Sequence, residues 1–268
     1  MAKNDKYWKK VLASSEDRTY AKNSGDDPLE EGLERLSWHE NSKRIIKNGI
    51  RKTQETFGEE VGNSITAGVM ALYVLFVIPY ASIVAYNRVE EGKIMSVLGM
   101  SAFLITFFLS LLFSTVYHLM KRGTPHKRVM SKLNRILCYF AVLGVYTPIC
   151  INFLGQISGP VIFALEAAIA LAGVFVTAFC YKTNKVGTAI SNILYVLQGW
   201  LILPLIGIFY QKASHLTFWL IVSGAIVYTI GMLFFASGKK FKFSHMVWHF
   251  FVLVAGALHI LAFIYFFA

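Results

Sequence analysis

The sequence predicts an all-α membrane protein, a bundle of seven transmembrane helices behind a soluble tail. Three observations carry that expectation. Of 268 residues, 56% are hydrophobic, and the mean hydropathy is positive. Apolar runs of about 18 residues or more, the length that reads as a lipid-spanning helix, recur from Asn63 onward. Acids nearly vanish over the same stretch, where only Glu90, Glu91 and Glu166 remain after residue 60. A chain with so much unbroken apolar length cannot solvate its whole surface, which excludes a soluble globular domain.

The tail, residues 1–60, holds 12 Lys and Arg against 12 Asp and Glu, with no long apolar run and no signal-peptide pattern. In DDPLEEGLERL, Asp27 is the expected N-cap and Pro28 the first helical residue of a surface helix. RIIKNGIRK sets Ile45, Ile46 and Ile50 among basic residues, which suits a helix on the membrane interface or a solvated linker helix. Because the tail's charges cancel, the net +11 belongs to residues 61–268, the seven-helix domain. Spread between apolar spans, that excess is an orientation and anionic-headgroup signal and not a nucleic-acid footprint.

Seven spans of about 20 residues, enough to cross the hydrocarbon core, are predicted at 64–86, 94–117, 133–153, 159–180, 188–210, 216–236 and 245–267. Only YKTNKVG separates the fourth from the fifth. Gly68, Gly144 and Gly256 are expected to let helices approach closely. Tyr146, Thr147 and Pro148 should shape the outer end of the third span, with backbone groups freed by the proline satisfied inside the bundle. Cys138, Cys150 and Cys180 lie in apolar segments without metal-ligand spacing, and read as small core residues.

Loop cations orient the bundle. Even-numbered loops carry ten Lys and Arg and odd-numbered loops three, so the positive-inside rule puts the N-terminus in the cytoplasm and the C-terminus outside, with the cell membrane as the expected location. A reporter fused after Ala268 should be active only outside the cytoplasm, and one inserted in the 120–132 loop only inside. Opposite signals would invert the depth of every polar residue in the bundle.

This orientation gathers histidines. His245 and His249, spaced i,i+4, share one face of the seventh span near its cytoplasmic start. His118 ends the second span, which descends to the same side. Three imidazoles from two distant segments thus meet at one depth, and three neutral imidazoles are a common Zn²⁺ ligand set that leaves a position open for water, whose pKa falls to about 7 there. The chemistry such a set supports is hydrolytic. His259 lies roughly 15 Å further along the helix and cannot share the ion; it reads as a buried, hydrogen-bonded histidine or a contact to substrate or lipid. His39, His126 and His215 read as solvated surface residues.

EEVGNSIT (59–66), STVYH (114–118), KLNRILCYFAVLGVYTP (132–148) and HMVWHFFVLVAGALH (245–259) together resemble the hemolysin III family, the bacterial branch of the progestin and adipoQ receptors. The resemblance runs from about residue 57 to the end and leaves the tail uncovered. It implies a seven-helix protein with a cytoplasmic N-terminus and a zinc ion held by His118, His245 and His249, with Ser114 one helical turn from His118 at the same site. It also implies a lipid substrate, since related receptors are associated with ceramide hydrolysis, while bacterial members are named for cytolytic activity and linked to membrane homeostasis.

Two positions depart from that family. Its aspartate in R-L-D-H falls here on Asn134 of K-L-N-R, and Ala67 replaces a histidine of its T-H-G stretch. An amide can orient water but cannot take up a proton as a carboxylate does, so general-base catalysis is in doubt. Glu60 stands at a suitable depth to substitute, or else caps the helix or pairs with Arg135 or a tail lysine. Glu166, in the outer half of the fourth span, is either functional or a neutral acid hydrogen-bonded in the bundle. Two functions follow: a zinc hydrolase of a membrane-lipid amide or ester, ceramide-like or fatty-acyl, in which Ser114 and Asn134 orient water or the oxyanion; or a non-enzymatic membrane sensor or modulator with structural zinc, cytolytic on overproduction. The inverted orientation disfavours a G-protein-coupled receptor. Membrane lipids are the expected partners, and no oligomer is indicated.

Overall fold

The computed structural model describes residues 56–267 apart from position 90 and the connections 122–123, 181–184 and 238–242. The expectations placed on Asp27, Pro28, His39, Ile45, Ile46 and Ile50 lie outside the described residues, as do the loop cations Arg122, Lys182, Lys239, Lys240 and Lys242. The described residues form α1 (Phe57–Arg88), α2 (Lys93–Leu119), α3 (Pro125–Asn152), α4 (Gly155–Phe179), α5 (Lys185–Gly199), α6 (Ile206–Lys212), α7 (His215–Ser237) and α8 (Ser244–Phe267), with a 3₁₀ turn at Leu203–Leu205. Seven segments are long and apolar enough to cross a membrane, the fifth being α5, the turn and α6 in series over Val186–Lys212.

Consecutive helices pack side by side from α1 to α5, α7 packs on α8, and α8 returns against α1 to close the ring. Phe103, Phe107, Ile260 and Phe263 fill the seam between α2 and α8. Gly144 brings α3 onto α2 so closely that a β-carbon there would stand 3.1 Å from the Phe103 Cα. Phe76, Ile157, Leu171 and Phe175 point outward and are largely exposed. In water such an apolar circumference would be unfavourable; in lipid it is the required surface.

Three elements differ from the sequence expectation, the first being α1, which begins at Phe57 on the Thr56 cap and not at residue 64. The third helix begins at Pro125, well before residue 133, because Thr124 caps it by accepting from the Lys127 N–H at 3.2 Å and proline occupies the first helical position. A hydropathy window discounts those basic turns although they are helical. Lys127 is therefore a buried helix residue, not a loop cation. The fifth span is interrupted at Pro204, whose missing N–H and ring clash prevent a continuous helix. Tyr146 of α3 satisfies the groups left open: its hydroxyl accepts from the Ile202 N–H at 3.1 Å and donates to the Gly199 carbonyl at 3.2 Å. This is the packing role expected of Tyr146, exerted on another helix.

Candidate metal centre

The start of α1 organises the site. Thr56 and Glu59 form a capping box: Glu59 Oε2 accepts from the Thr56 N–H at 2.6 Å and Thr56 Oγ1 from the Glu59 N–H at 3.3 Å. The other carboxylate oxygen, Oε1, accepts from the Phe243 N–H at 2.7 Å. Phe243 has φ of 60°, left-handed and unfavourable for a bulky residue, so the Glu59 contact holds the chain where α8 must begin. Ser244 Oγ donates to the Phe234 carbonyl of α7 at 2.7 Å. One turn of α8 is thereby pinned between α1 and α7, and it carries His245 and His249.

Those two imidazoles meet His118 from the end of α2. The ring centroid separations are 5.0 Å for His118–His245, 5.1 Å for His118–His249 and 5.0 Å for His245–His249. One nitrogen from each lies within 4.8 Å of the others, which is compact enough for a shared metal ion. His118 Nε2 and His249 Nε2 stand 3.2 Å apart. On the far side of the ring, His118 Nδ1 donates to Glu60 Oε2 at 2.7 Å, while Lys127 Nζ donates to Glu60 Oε1 at 2.7 Å and to the Met120 carbonyl at 3.1 Å. A carboxylate accepting from Nδ1–H fixes the tautomer and turns the Nε2 lone pair toward the other imidazoles, as outer-shell carboxylates do for metal-ligating histidines.

Glu59 does the capping, and Glu60 is set on His118 and Lys127, while the alternative of a tail lysine lies outside the described residues. Arg135 donates from Nε to Ser191 Oγ at 2.9 Å and from Nη2 to Asn192 Oδ1. Sequence reasoning missed Lys127, although its place in the first turn after the Thr124–Pro125 helix start was a signal that it belongs to α3.

Glu60, Ser114, Asn134, His245 and His249 all line one cavity of about 1060 Å³ between α2, α3, α5, α7 and α8, whose surface is mostly apolar. Ser114 Oγ and Asn134 Oδ1 are buried without a hydrogen-bond partner among the described residues. Buried polar atoms are normally satisfied, so these two, with His259 Nδ1 as a third on the same lining, mark where a guest would supply the missing bonds. His259 is buried 38 positions from its partner in sequence, with Nε2 at 3.2 Å from the Ile221 carbonyl, apart from the triad but on the same cavity wall. Glu166 is fully buried in α4 and does not line the cavity. His126 and His215 are exposed, Ala67 is packed at 0% exposure, and Cys138, Cys150 and Cys180 form no disulfide among the described residues.

Fold and site together define a multi-pass helical membrane protein with a tri-histidine cluster opening onto an internal cavity. The profile of the family described as Haemolysin-III related matches residues 56–260, and the chain belongs to that family. It is 28% identical over 200 residues to "Hemolysin-3" of Bacillus cereus, covering 75% of this chain and 88% of that protein. It is 27% identical over 205 residues to "Hemolysin-3 homolog" of Bacillus subtilis (strain 168), covering 75% of this chain and 91% of the relative.

Proposed function

We propose that this chain is a zinc-dependent hydrolase of an amide or ester in a membrane lipid, ceramide-like or fatty-acyl, working at the cytoplasmic side of the cell membrane. The observation that carries the reading is the shared cavity: histidine ligands, an orphan serine hydroxyl and an orphan amide oxygen line the same mostly apolar space. His118, His245 and His249 would hold the ion, and the donor set fits it, since one nitrogen of each lies within 4.8 Å of the others and the Glu60 contact leaves His118 Nε2 as a ligating lone pair. Zinc held so supplies Lewis acidity and brings water into its deprotonated range near neutral pH.

The chain's own residues do the rest. Phe107, Leu111, Val142, Val145 and Ile149 give the cavity walls that receive an acyl chain and exclude bulk water. Ser114 Oγ–H donates to the carbonyl oxygen as negative charge develops on it. Asn134 Oδ1 accepts from the attacking water and orients it without taking its proton, which ends on the amine or hydroxyl of the leaving group as the acyl bond breaks. Glu60, braced by Lys127, keeps His118 in its ligating tautomer.

Glu60→Gln should lower zinc affinity about 10- to 100-fold in a competition titration, the usual cost of losing an outer-shell partner. An affinity within about threefold of wild type would remove Glu60 from that role. The function itself is tested with purified protein in nanodiscs, offered a panel of lipid amides and esters. Expected is fatty-acid release that a chelator stops and zinc restores. Release from none of them would favour the second reading, which Asn134 recommends: a membrane sensor or modulator with a structural ion.

A further inference from the structure

We infer that the end of the cavity remote from the histidine triad recognises a hydroxyl group on the guest's acyl chain, through His259 of α8 and Tyr228 of α7. The inference rests on the lipid reading of the same cavity and adds a feature of the substrate. His245, His249, Val252 and His259 all line the cavity, at spacings of four, three and seven residues that keep to one face of α8. His259 therefore stands roughly 15 Å along the helix axis from His249. An extended chain, advancing roughly 1.25 Å for each carbon, covers that distance in about twelve carbons. Between the two ends the wall is apolar, with Phe107, Val142, Val145 and Ile149. A polar contact at His259 thus meets the acyl chain far from its linkage, where a plain hydrocarbon has nothing to offer it.

The tautomer of His259 decides what the site can take. The residue is 4% exposed, and its Nε2 lies 3.2 Å from the Ile221 carbonyl oxygen. That oxygen can only accept, so the proton is on Nε2 and Nδ1 of the neutral ring is an acceptor. Nδ1 is buried without a hydrogen-bond partner among the described residues. Neighbouring polar groups on the lining are already occupied. The Tyr146 hydroxyl bridges the Ile202 N–H and the Gly199 carbonyl, and Thr229 Oγ1 accepts from Trp200 Nε1 at 3.0 Å and donates to the Ala225 carbonyl at 2.8 Å. Tyr228 stacks on His259 with ring centroids 5.8 Å apart, lines the cavity, and makes no hydrogen bond through its hydroxyl among the described residues. Adjoining rings thus present one acceptor and one donor. A guest hydroxyl answers both, giving its proton to Nδ1 and accepting from the phenol. A carboxylate brings no donor to Nδ1, and plain methylenes leave the buried acceptor unsatisfied, which a site built for a hydroxyl turns into discrimination.

The test is a competition read by native mass spectrometry on the full chain in neutral detergent, among three equimolar N-acyl amides of one chain length. The first is saturated, the second carries a hydroxyl about twelve carbons from the carbonyl, and the third carries it about six carbons away, opposite the apolar wall. Wild type should form at least about three adducts with the second probe for each with the first, the net yield of one buried hydrogen bond, and should not favour the third. His259→Phe, which keeps a ring without the acceptor, should bring the first two probes to near parity. Tyr228→Phe removes only the donor and leaves the Ile221 contact in place, so it should lower the preference while the saturated probe binds as before. Equal adducts of all three probes on wild type would overturn the inference, since Nδ1 would then not be answered by the guest. A preference shared by both hydroxylated probes would overturn it too, as a general response to polarity. So would a preference undiminished by Tyr228→Phe, a variant that decides the matter even where His259→Phe does not fold. Adduct formation needs no turnover: absence of fatty-acid release with the preference intact removes the proposed activity alone, whereas release beside equal binding of the three probes removes this inference alone.

Discussion

His249→Ala protein, purified intact, should lose most of its zinc, whereas His259→Ala should keep about one ion per chain, the complement of a single three-histidine site. His249 Nε2 faces His118 Nε2 at 3.2 Å, and His245 is the third donor within 4.8 Å. Removing His249 leaves two imidazoles, which hold a tetrahedral ion poorly, and since zinc affinity is shared with folding the variant should also melt earlier. His259 binds the Ile221 carbonyl across to α7, where a β-carbon on Gly224 would come within 2.6 Å of its ring nitrogen. Its loss opens a cavity and removes the contact that ties α8 to α7 there, so His259→Ala should reduce thermal stability without releasing metal. Elemental analysis after dialysis against a zinc buffer separates the two cases. Equal metal loss from both variants would mean that the ligands are misassigned.

That the triad could be named before any coordinates follows from how its information is stored. An i,i+4 pair on one helix and a histidine at the end of another need only helix periodicity and a consistent depth, and both are local properties of sequence once loop cations orient the spans. Apolar length likewise made the seven spans legible, because the membrane imposes that length directly. What surrounds His118 was not legible. The Glu60–Lys127 contact joins residues 67 apart, and it depends on how α1 and α3 lean on α2, which no periodicity reports. The T-F-G-E start of α1 carries the pattern of a capping box, yet nothing local says that Glu59 also receives the Phe243 N–H, 184 residues away. The start of α3 was placed late for a related reason: hydropathy measures preference for lipid, whereas Thr124 and Pro125 begin a helix by capping and fixed φ, whatever the solvent. The break at Pro204 is visible as a proline, but its repair by the Tyr146 hydroxyl is a tertiary fact.

Asn134→Asp should raise turnover of a ceramide-like lipid by at least about tenfold, a conservative part of the 10²- to 10⁴-fold that general acid–base catalysis supplies. Asn134 Oδ1 is buried, without a hydrogen-bond partner among the described residues, and on the cavity wall that His245 and His249 share. In the wild type that oxygen can accept a hydrogen bond from water but leaves the proton to the departing group; a carboxylate in the same place accepts the bond and then the proton. Glu60 already spends its oxygens on His118 and Lys127, where taking a proton would undo the tautomer it imposes. Glu166 is off the cavity altogether. The comparison requires matched zinc content, so that metal loading is not read as turnover, and it reads free fatty acid released per bound ion in nanodiscs. Faster release by the wild type than by the variant would show Asn134 to be the adapted residue and would move the proton-accepting step away from this wall. Silence from both proteins, across amides and esters alike, would leave the zinc as a structural ion and the membrane-modulating reading ahead, because the position that decides between them would then have been given its carboxylate without effect.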